Sequence, residues 1–259
     1  MEPEPIPRRA ALGWLALTMA AVVSEPTAAA STIPTSDRAS AAMARVESGL
    51  RADVEAAGLR WGAPVFLRVF KRERRLEAWL ETTPGGPFTL FRSWPVCARS
   101  GDLGPKTAEG DGQAPEGFYF VPPGRMNPHS RFHLSFNLGY PNAYERARGW
   151  TGSALMVHGD CASVGCYAMG KRLLPVGADH NDPINEIWTL MVAAFAAGQP
   201  FVRVHALPFA LTPDALAADA DHPWAAFWAN LAEGYRWFED TARPPDVTVR
   251  EGRYRFGPG

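Results

Sequence analysis

Three cysteines in 259 residues are too few to staple a disulfide scaffold, and their odd number leaves at least one thiol unpaired in an oxidising compartment. Charge of one sign is also missing. Twenty-six Lys and Arg against 27 Asp and Glu give a formal net charge of -1, with the basic residues spread along the chain. That distribution excludes the electrostatic footprint of a nucleic-acid binder or a polybasic membrane anchor, and it points to a small or peptidic partner. No internal repeat and no inter-domain linker interrupts the chain after its first 30 residues. With 46% hydrophobic residues, there is enough apolar side chain for one sizeable domain or two small ones without covalent staples.

What is present begins at the N-terminus. Arg8 and Arg9 precede an apolar run from Ala10 to Val23, and Ala28, Ala29 and Ala30 supply the small residues a signal peptidase needs. The expectation is a cleaved secretory signal over 1–30, a mature chain starting near Ser31, and a periplasmic product with no integral span. The run is short of the roughly 20 residues that cross a bilayer, and an uncleaved anchor is the alternative. Paired arginines also suit twin-arginine export, although Glu2, Glu4 and the flanking residues fit it poorly. No Cys follows the run, so lipoprotein processing there is not supported.

Residues 31–60 read as a helical lead-in and 61–259 as a single domain. Over 37–59, Ala41, Val46, Leu50, Val54 and Leu59 recur at helical spacing, with Asp37 placed to cap. Short β-branched or aromatic runs at 64–70, 76–81 and 88–94 predict an antiparallel meander. A glycine-rich, charged stretch at 100–116 reads as a functional surface loop, and strand signals resume at 118–121, 132–138 and 154–157. Asp182 before Pro183 starts a helix that Gly198 ends, since an Asp side chain caps and Pro lacks an N–H that would go unpaired. A strand at 201–206, an aromatic-rich helix at 222–241 and a closing strand or hairpin at 244–256 complete an α+β chain, β-rich with flanking helices. Most of the aromatics of 222–241 are assigned to the core.

The chemistry concentrates in Met156-Val157-His158-Gly159-Asp160-Cys161-Ala162-Ser163-Val164-Gly165-Cys166-Tyr167-Ala168-Met169. A thiol becomes a useful nucleophile when an imidazole takes its proton. Cys166 is the candidate nucleophile and His158 the candidate base. Gly165 removes a side chain where a substrate backbone approaches and leaves N–H groups to face an oxyanion. Ser163 can orient the imidazole, line the pocket, or simply bond the backbone. Such a set performs acyl transfer, in which the thiolate attacks an amide carbonyl, an amine leaves, and water or another amine takes the acyl group.

These residues resemble the YkuD-type L,D-transpeptidases of peptidoglycan, whose pattern is a His-Gly pair followed by Ser-x-Gly-Cys. Here it is matched by His158-Gly159 and Ser163-Val164-Gly165-Cys166. The chain is most similar to the YafK-like branch, through the ordered blocks Ser100-Gly101-Asp102-Leu103-Gly104-Pro105-Lys106, Ala114-Pro115-Glu116-Gly117-Phe118-Tyr119, Ser135 to Tyr144, and 158–169. The resemblance covers most of the chain from Trp61. It implies mixed sheets or a β-sandwich, Cys166 as acyl acceptor, His158 as base, Gly165 and Cys166 as oxyanion donors, and no metal or cofactor. Peptidoglycan stem peptides are the implied substrate, with wall-linked lipoprotein a further partner and murein hydrolysis the outcome favoured over cross-linking. Two positions depart from the wider pattern. Val164 stands where many members have a second His, and Tyr167-Ala168-Met169 replaces the Arg or Asn that commonly follows the nucleophile. The short spacing from His158 to Cys166 implies a reduced covering loop and an open cleft, which suits a bulky acceptor or water.

Other assignments stay open on sequence alone. Cys97 and Cys161 can form a disulfide, leaving Cys166 free; Cys161 can pair with Cys166 as a redox switch; or both are core residues. His158, Cys161 and Cys166 with His133 or His180 would make a zinc set, but at no usual structural-site spacing. His133, Tyr140, Asn142 and Gly159 are candidate substrate-site residues. His133 can equally be a hydrogen-bonded strand histidine, and a Gly-Tyr-Pro-Asn turn uses Tyr140 and Asn142 for local reasons too. A catalytically silent wall-binding scaffold would have no need of an intact His158 and Cys166. A papain-like peptidase would place the Cys well before the His.

Overall fold

The computed structural model describes residues 1, 32–171 and 182–258. The expected signal segment (Met1 aside), the expected mature start at Ser31, and His180 lie outside the described residues. The chain divides into two units, Met1–Ala30 and Ser31–Gly259, and the architecture below is that of the second.

Helix α1 (Asp37–Ala56) starts one residue earlier than the sequence suggests, because Ser36, not Asp37, is the cap: its hydroxyl accepts the Ala39 N–H at 3.2 Å. The buried stripe is Ala39, Ala42, Leu50 and Val54, whereas Ala41 is exposed. The expected meander is β1 (Val65–Phe70), β2 (Arg75–Glu81) and β3 (Phe88–Pro95), antiparallel throughout. Next come β4 (Ala98–Arg99), β5 (Gly117–Val121), β6 (Met126–Asn127) and β7 (Ser135–Asn137). The run at 132–138 shortens to β7 because His133 takes a left-handed φ of 68° that breaks the pleat. After α2 (Ala143–Ala147) follow β8 (Met156–His158), β9 (Tyr167–Ala168) and α3 (Pro183–Ala196), then β10 (Val202–Leu207), α4 (Pro213–Ala218), α5 (Ala225–Thr241), β11 (Asp246–Arg250) and β12 (Arg253–Gly257).

Three sheets result, in the order β3-β2-β1-β10-β5, in the order β4-β9-β8-β7-β6, and as the hairpin β11-β12. Among the described residues only β1–β10 and β8–β9 are parallel. Every residue of β1 is buried, as expected for a strand covered on both faces. Val65, Leu67 and Val69 share a core with Leu50 and Val54 of α1, Trp188 and Met191 of α3, and Phe136, Val157 and Tyr167 of the second sheet. Phe66 faces the other way, its ring 4.8 Å from Phe238 of α5. Burying each such side chain contributes roughly 1.5–3 kcal/mol. Short α2 and α4 escape a periodicity search because neither completes two turns. Local caps make them: an Asn142/Glu145 capping box for α2, and Thr212 before Pro213 for α4.

The 100–116 stretch has no helix or strand and exposes residues 101, 102 and 108–111, as expected of a surface loop, while 104–106 and 114–116 are buried and anchor it. Lys71 and Glu116, both fully buried, meet at 3.0 Å. The Lys71 ammonium also donates to the Asp102 and Gly104 carbonyls at 3.2 and 2.6 Å, and Glu116 accepts the Gly104 N–H and the Trp228 indole N–H, each at 2.8 Å. One buried ion pair thereby ties the loop to the end of β1 and to α5. Removing one partner of such a pair strands the other charge, at a cost of about 3–5 kcal/mol. Glu116→Gln is therefore expected to lower unfolding free energy in urea by about that much; a loss below about 1 kcal/mol would show that the pair does not anchor the loop.

Candidate active site

The parallel pairing of β8 with β9 sets Val157 beside Tyr167 and His158 beside Ala168. Val157 and Tyr167 are fully buried in the core. Alternation along the strand sends His158 to the opposite face. Cys166 is the residue immediately before β9, two positions ahead of Ala168, the partner of His158.

The connection between those strands is closed at its neck. Met169 donates its N–H to the His158 carbonyl and Gly170 to the Asp160 carbonyl, both at 2.7 Å. The chains cross so closely that a Cβ on Gly170 would lie 2.2 Å from Asp160 backbone atoms, so only glycine fits there. The Asp182 carboxylate accepts the Asp160 N–H at 2.9 Å and the Lys171 N–H at 3.1 Å. It makes no cap bond to α3, contrary to the expectation from Asp-Pro. Cys161 is disulfide-bonded to Cys97, with Cα atoms 5.6 Å apart, and Cys166 is the free cysteine. That pairing removes both the redox-switch and the zinc arrangements considered above, since Cys161 has no thiol to offer.

Ser163 does not touch the imidazole. Its hydroxyl donates to the Cys166 carbonyl at 2.6 Å and accepts the Cys166 N–H at 3.0 Å. Its single proton being used there, the 2.8 Å bond to Ser100 must be donated by Ser100. Ser163 is thus a fully satisfied brace for the nucleophile's backbone. Gly165 has φ 108°, a conformation for which glycine is suited, and its N–H has no partner among the described residues. Of the two expected oxyanion donors, the Gly165 N–H is unpartnered among the described residues while that of Cys166 is on Ser163.

His158 is 2% exposed and stacks on Phe132, centroids 4.7 Å apart. Its Nδ1 lies 2.5 Å from the Gly159 carbonyl, which can only accept, so Nδ1 carries the proton and Nε2 presents a lone pair. Burial pushes the imidazole below its ordinary pKa. Burial also pushes the Cys166 thiol up, against a backbone hydrogen bond at Met156 and the positive charge of Lys106, which pull it down. The resting pair is a neutral thiol and a neutral imidazole. Among the described residues the Cys166 thiol hydrogen-bonds the Ala154 carbonyl, at 3.8 Å. Lys106 itself is buried, donating to Ala108 and to Asp111 at 2.8 and 2.7 Å. Burial would raise the Asp111 carboxyl, but Lys106 and three backbone N–H groups hold it at about 2.

The remaining expected site residues are placed elsewhere or have structural contacts. Gly159 donates its N–H to the Leu134 carbonyl at 2.9 Å, so it braces His158 and is no oxyanion donor. His133 is buried with Nε2 2.7 Å from Asn185 Oδ1, and is a hydrogen-bonded structural histidine in the turn before β7. Asn142 caps α2 and donates to Phe118 and Tyr254 at 3.1 and 2.8 Å; a cap with every side-chain atom engaged has none left for a substrate. Tyr140 is buried and donates to the Lys106 carbonyl at 3.0 Å, holding that loop. Tyr167, Ala168 and Met169 are core residues, whereas Val164 is 89% exposed at the loop tip. Sequence reading did not single out Ser100, Lys106 or Gly170, and it took Asp182 for a helix cap. Ser100 and Lys106 lie in a block carrying the resemblance, while Gly170 and Asp182 act through contacts that no local pattern announces.

No family model matches the chain. Two curated relatives from Escherichia coli, strains K12 and O157:H7, each named "Putative L,D-transpeptidase YafK", are 41% identical over 193 residues, 74% of this chain and 74% of the relative. Among solved structures, the K307A mutant of the helical cell shape determining protein Pgp2 from Campylobacter jejuni is 17% identical, covering 79% of this chain and 66% of that one at a TM-score of 0.42. Bd1075 of Bdellovibrio bacteriovorus is 12% identical, covering 73% and 78% at a TM-score of 0.36. At those scores the structural likenesses carry no argument, and the family rests on the curated relatives.

Two outcomes follow from the site. Because burial raises the thiol, iodoacetamide should alkylate Cys166 at a rate that climbs through and above the ordinary thiol range near pH 8.5; a plateau already reached by pH 6 would show a preformed thiolate–imidazolium pair instead. Ser163→Ala removes the brace on the Cys166 backbone and is expected to cost about 1–3 kcal/mol of stability, measured by thermal unfolding.

Proposed function

The chain belongs to the L,D-transpeptidase family, and on that premise we propose that it is a cysteine-dependent acyl-transfer enzyme acting on L,D-amide bonds of peptidoglycan stem peptides. The observation that supports the proposal is the single thiol left outside the disulfide, on the residue just before the strand that pairs with β8, together with His158 at the end of β8, whose Nε2 is unprotonated. His158 Nε2 takes the Cys166 proton; the thiolate attacks the amide carbonyl carbon, and the oxyanion forms near the Gly165 N–H. The carbon–nitrogen bond then breaks, the imidazolium returns its proton to the departing amine, and the acyl group stays on Cys166 as a thioester. Water attacking that thioester gives hydrolysis, and an amine gives transpeptidation.

Hydrolysis is the favoured outcome, including release of wall-linked lipoprotein. The connection from His158 to Cys166 is short and its tip, Val164, stands exposed, which supports an open cleft that water reaches. A periplasmic location after cleavage of residues 1–30 belongs to the same proposal. No helix among the described residues is long and apolar enough to cross a membrane.

Mass spectrometry of purified sacculi and of a lipoprotein-linked muropeptide, incubated with the protein and with Cys166→Ala, tests the reading. Free tripeptide stems or released lipoprotein, absent from the Cys166→Ala sample, are the expected products. New stem-to-stem cross-links would assign a transpeptidase. If neither product forms while Cys166 is confirmed reduced, the enzymatic reading fails and a wall-binding scaffold replaces it.

A further inference from the structure

We infer that Asp182 is a positioning residue for the nucleophile loop, a clamp on the loop's neck and not the cap of the helix it precedes. The inference rests on the reading of Cys166 as nucleophile. Asp182 is 4% exposed and has the extended backbone of an N-cap, φ -94° and ψ 151°, yet its carboxylate bonds none of the first amides of α3. Both oxygens point instead at the segment carrying Cys161, Ser163 and Cys166. One accepts the N–H of Asp160, where the chain leaves β8, and the other accepts that of Lys171, where it departs after β9.

Geometry explains the need for an anion there. Asp160 holds a left-handed φ of 64°, which turns the chain sharply out of β8. Its carbonyl already accepts the Gly170 N–H, so the two limbs touch at the neck. A carboxylate offers acceptors on two oxygens, and bonds to an ionised acceptor are roughly twice as strong as neutral ones. The first turn of α3 backs the same region twice more: Ile184 packs where a Gly159 Cβ would be, 2.9 Å from its Cγ2, and Asn185 bonds His133. The helix start therefore serves as the surface against which the His158 strand end and the Cys166 loop are held in register.

Cap and clamp make opposite predictions for substitution. Asn and Ser replace Asp at an N-cap with little loss. Neither can accept two backbone N–H groups on opposite sides: Asn would turn its own NH2 against one of them, and Ser is too short to straddle both. Asp182→Asn, Asp182→Ser and Asp182→Ala are compared with wild type and with Thr212→Ala, a true cap removal on α4, at a temperature well below every Tm. All three Asp182 variants are expected to lose roughly tenfold or more in kcat on the muropeptide, with KM changed far less. The pH midpoint of Cys166 alkylation should move down towards the ordinary thiol value as water reaches a loosened loop. Thr212→Ala should leave both unchanged.

Wild-type rates and an unshifted alkylation profile in Asp182→Asn or Asp182→Ser would overturn the clamp in favour of a cap. Should the variants fail to fold, hydrogen exchange on the unaltered protein decides: protected Asp160 and Lys171 amides support the clamp, and fast exchange at both overturns it. Alkylation needs no substrate, so a shifted profile in an enzyme that cleaves no muropeptide would sustain the clamp while removing the proposed activity.

Discussion

Parallel strands ordinarily need a crossover of a dozen or more residues, yet β8 and β9 are joined by residues 159–166 alone. The connection is possible because the strands are only three and two residues long, so the chain has little distance to recover. It also leaves no room for a helix to satisfy the backbone. Most polar groups in the turn find partners without a helix: Asp182 and Leu134 from outside it, Ser163 and the two limbs of the loop within it. The disulfide to Cys97 adds a covalent anchor to the neighbouring strand end. Most of what distinguishes this site follows from that tight connection.

One consequence is chemical. A loop so closely packed buries its histidine and half-buries its thiol, and burial disfavours the charged form of both. The pair therefore rests neutral, with the Nδ1–H fixed on a backbone carbonyl and Nε2 kept free for a proton. Lys106, drawn in by Asp111 and by the Tyr140 hydroxyl on its carbonyl, is the nearby positive charge that works against the burial of the thiol.

A second consequence is architectural. The loop at 100–116 reaches the site through Ser100 and Lys106, but its position is decided at the strand ends of the first sheet, where Lys71 and Glu116 fasten it. Two long-range anchors, that ion pair and the Asp182 carboxylate, hold the 100–116 loop and the β8–β9 connection. Neither anchor belongs to the pair that performs the proposed chemistry.

The sequence by itself determined the periodic and the punctuated parts. The meander of β1 to β3, the helix from Pro183, the strand at Val202–Leu207 and the terminal hairpin follow from apolar spacing between Gly and Pro breaks, a short-range signal. Cys166, His158 and the glycine between Val164 and Cys166 stood out as candidates because residue types suited to acyl transfer fall within one short stretch of the chain. Tertiary structure alone decided which cysteines pair, that His133 and Asn142 serve the fold, that Ser163 braces a backbone and not an imidazole, and that Asp182 clamps where it was expected to cap. The reason is physical: apart from the short Ser163 brace, those roles depend on where a side chain of fixed hydrogen-bonding capacity ends up relative to groups 11 to 112 residues away, and local propensity carries no record of that distance.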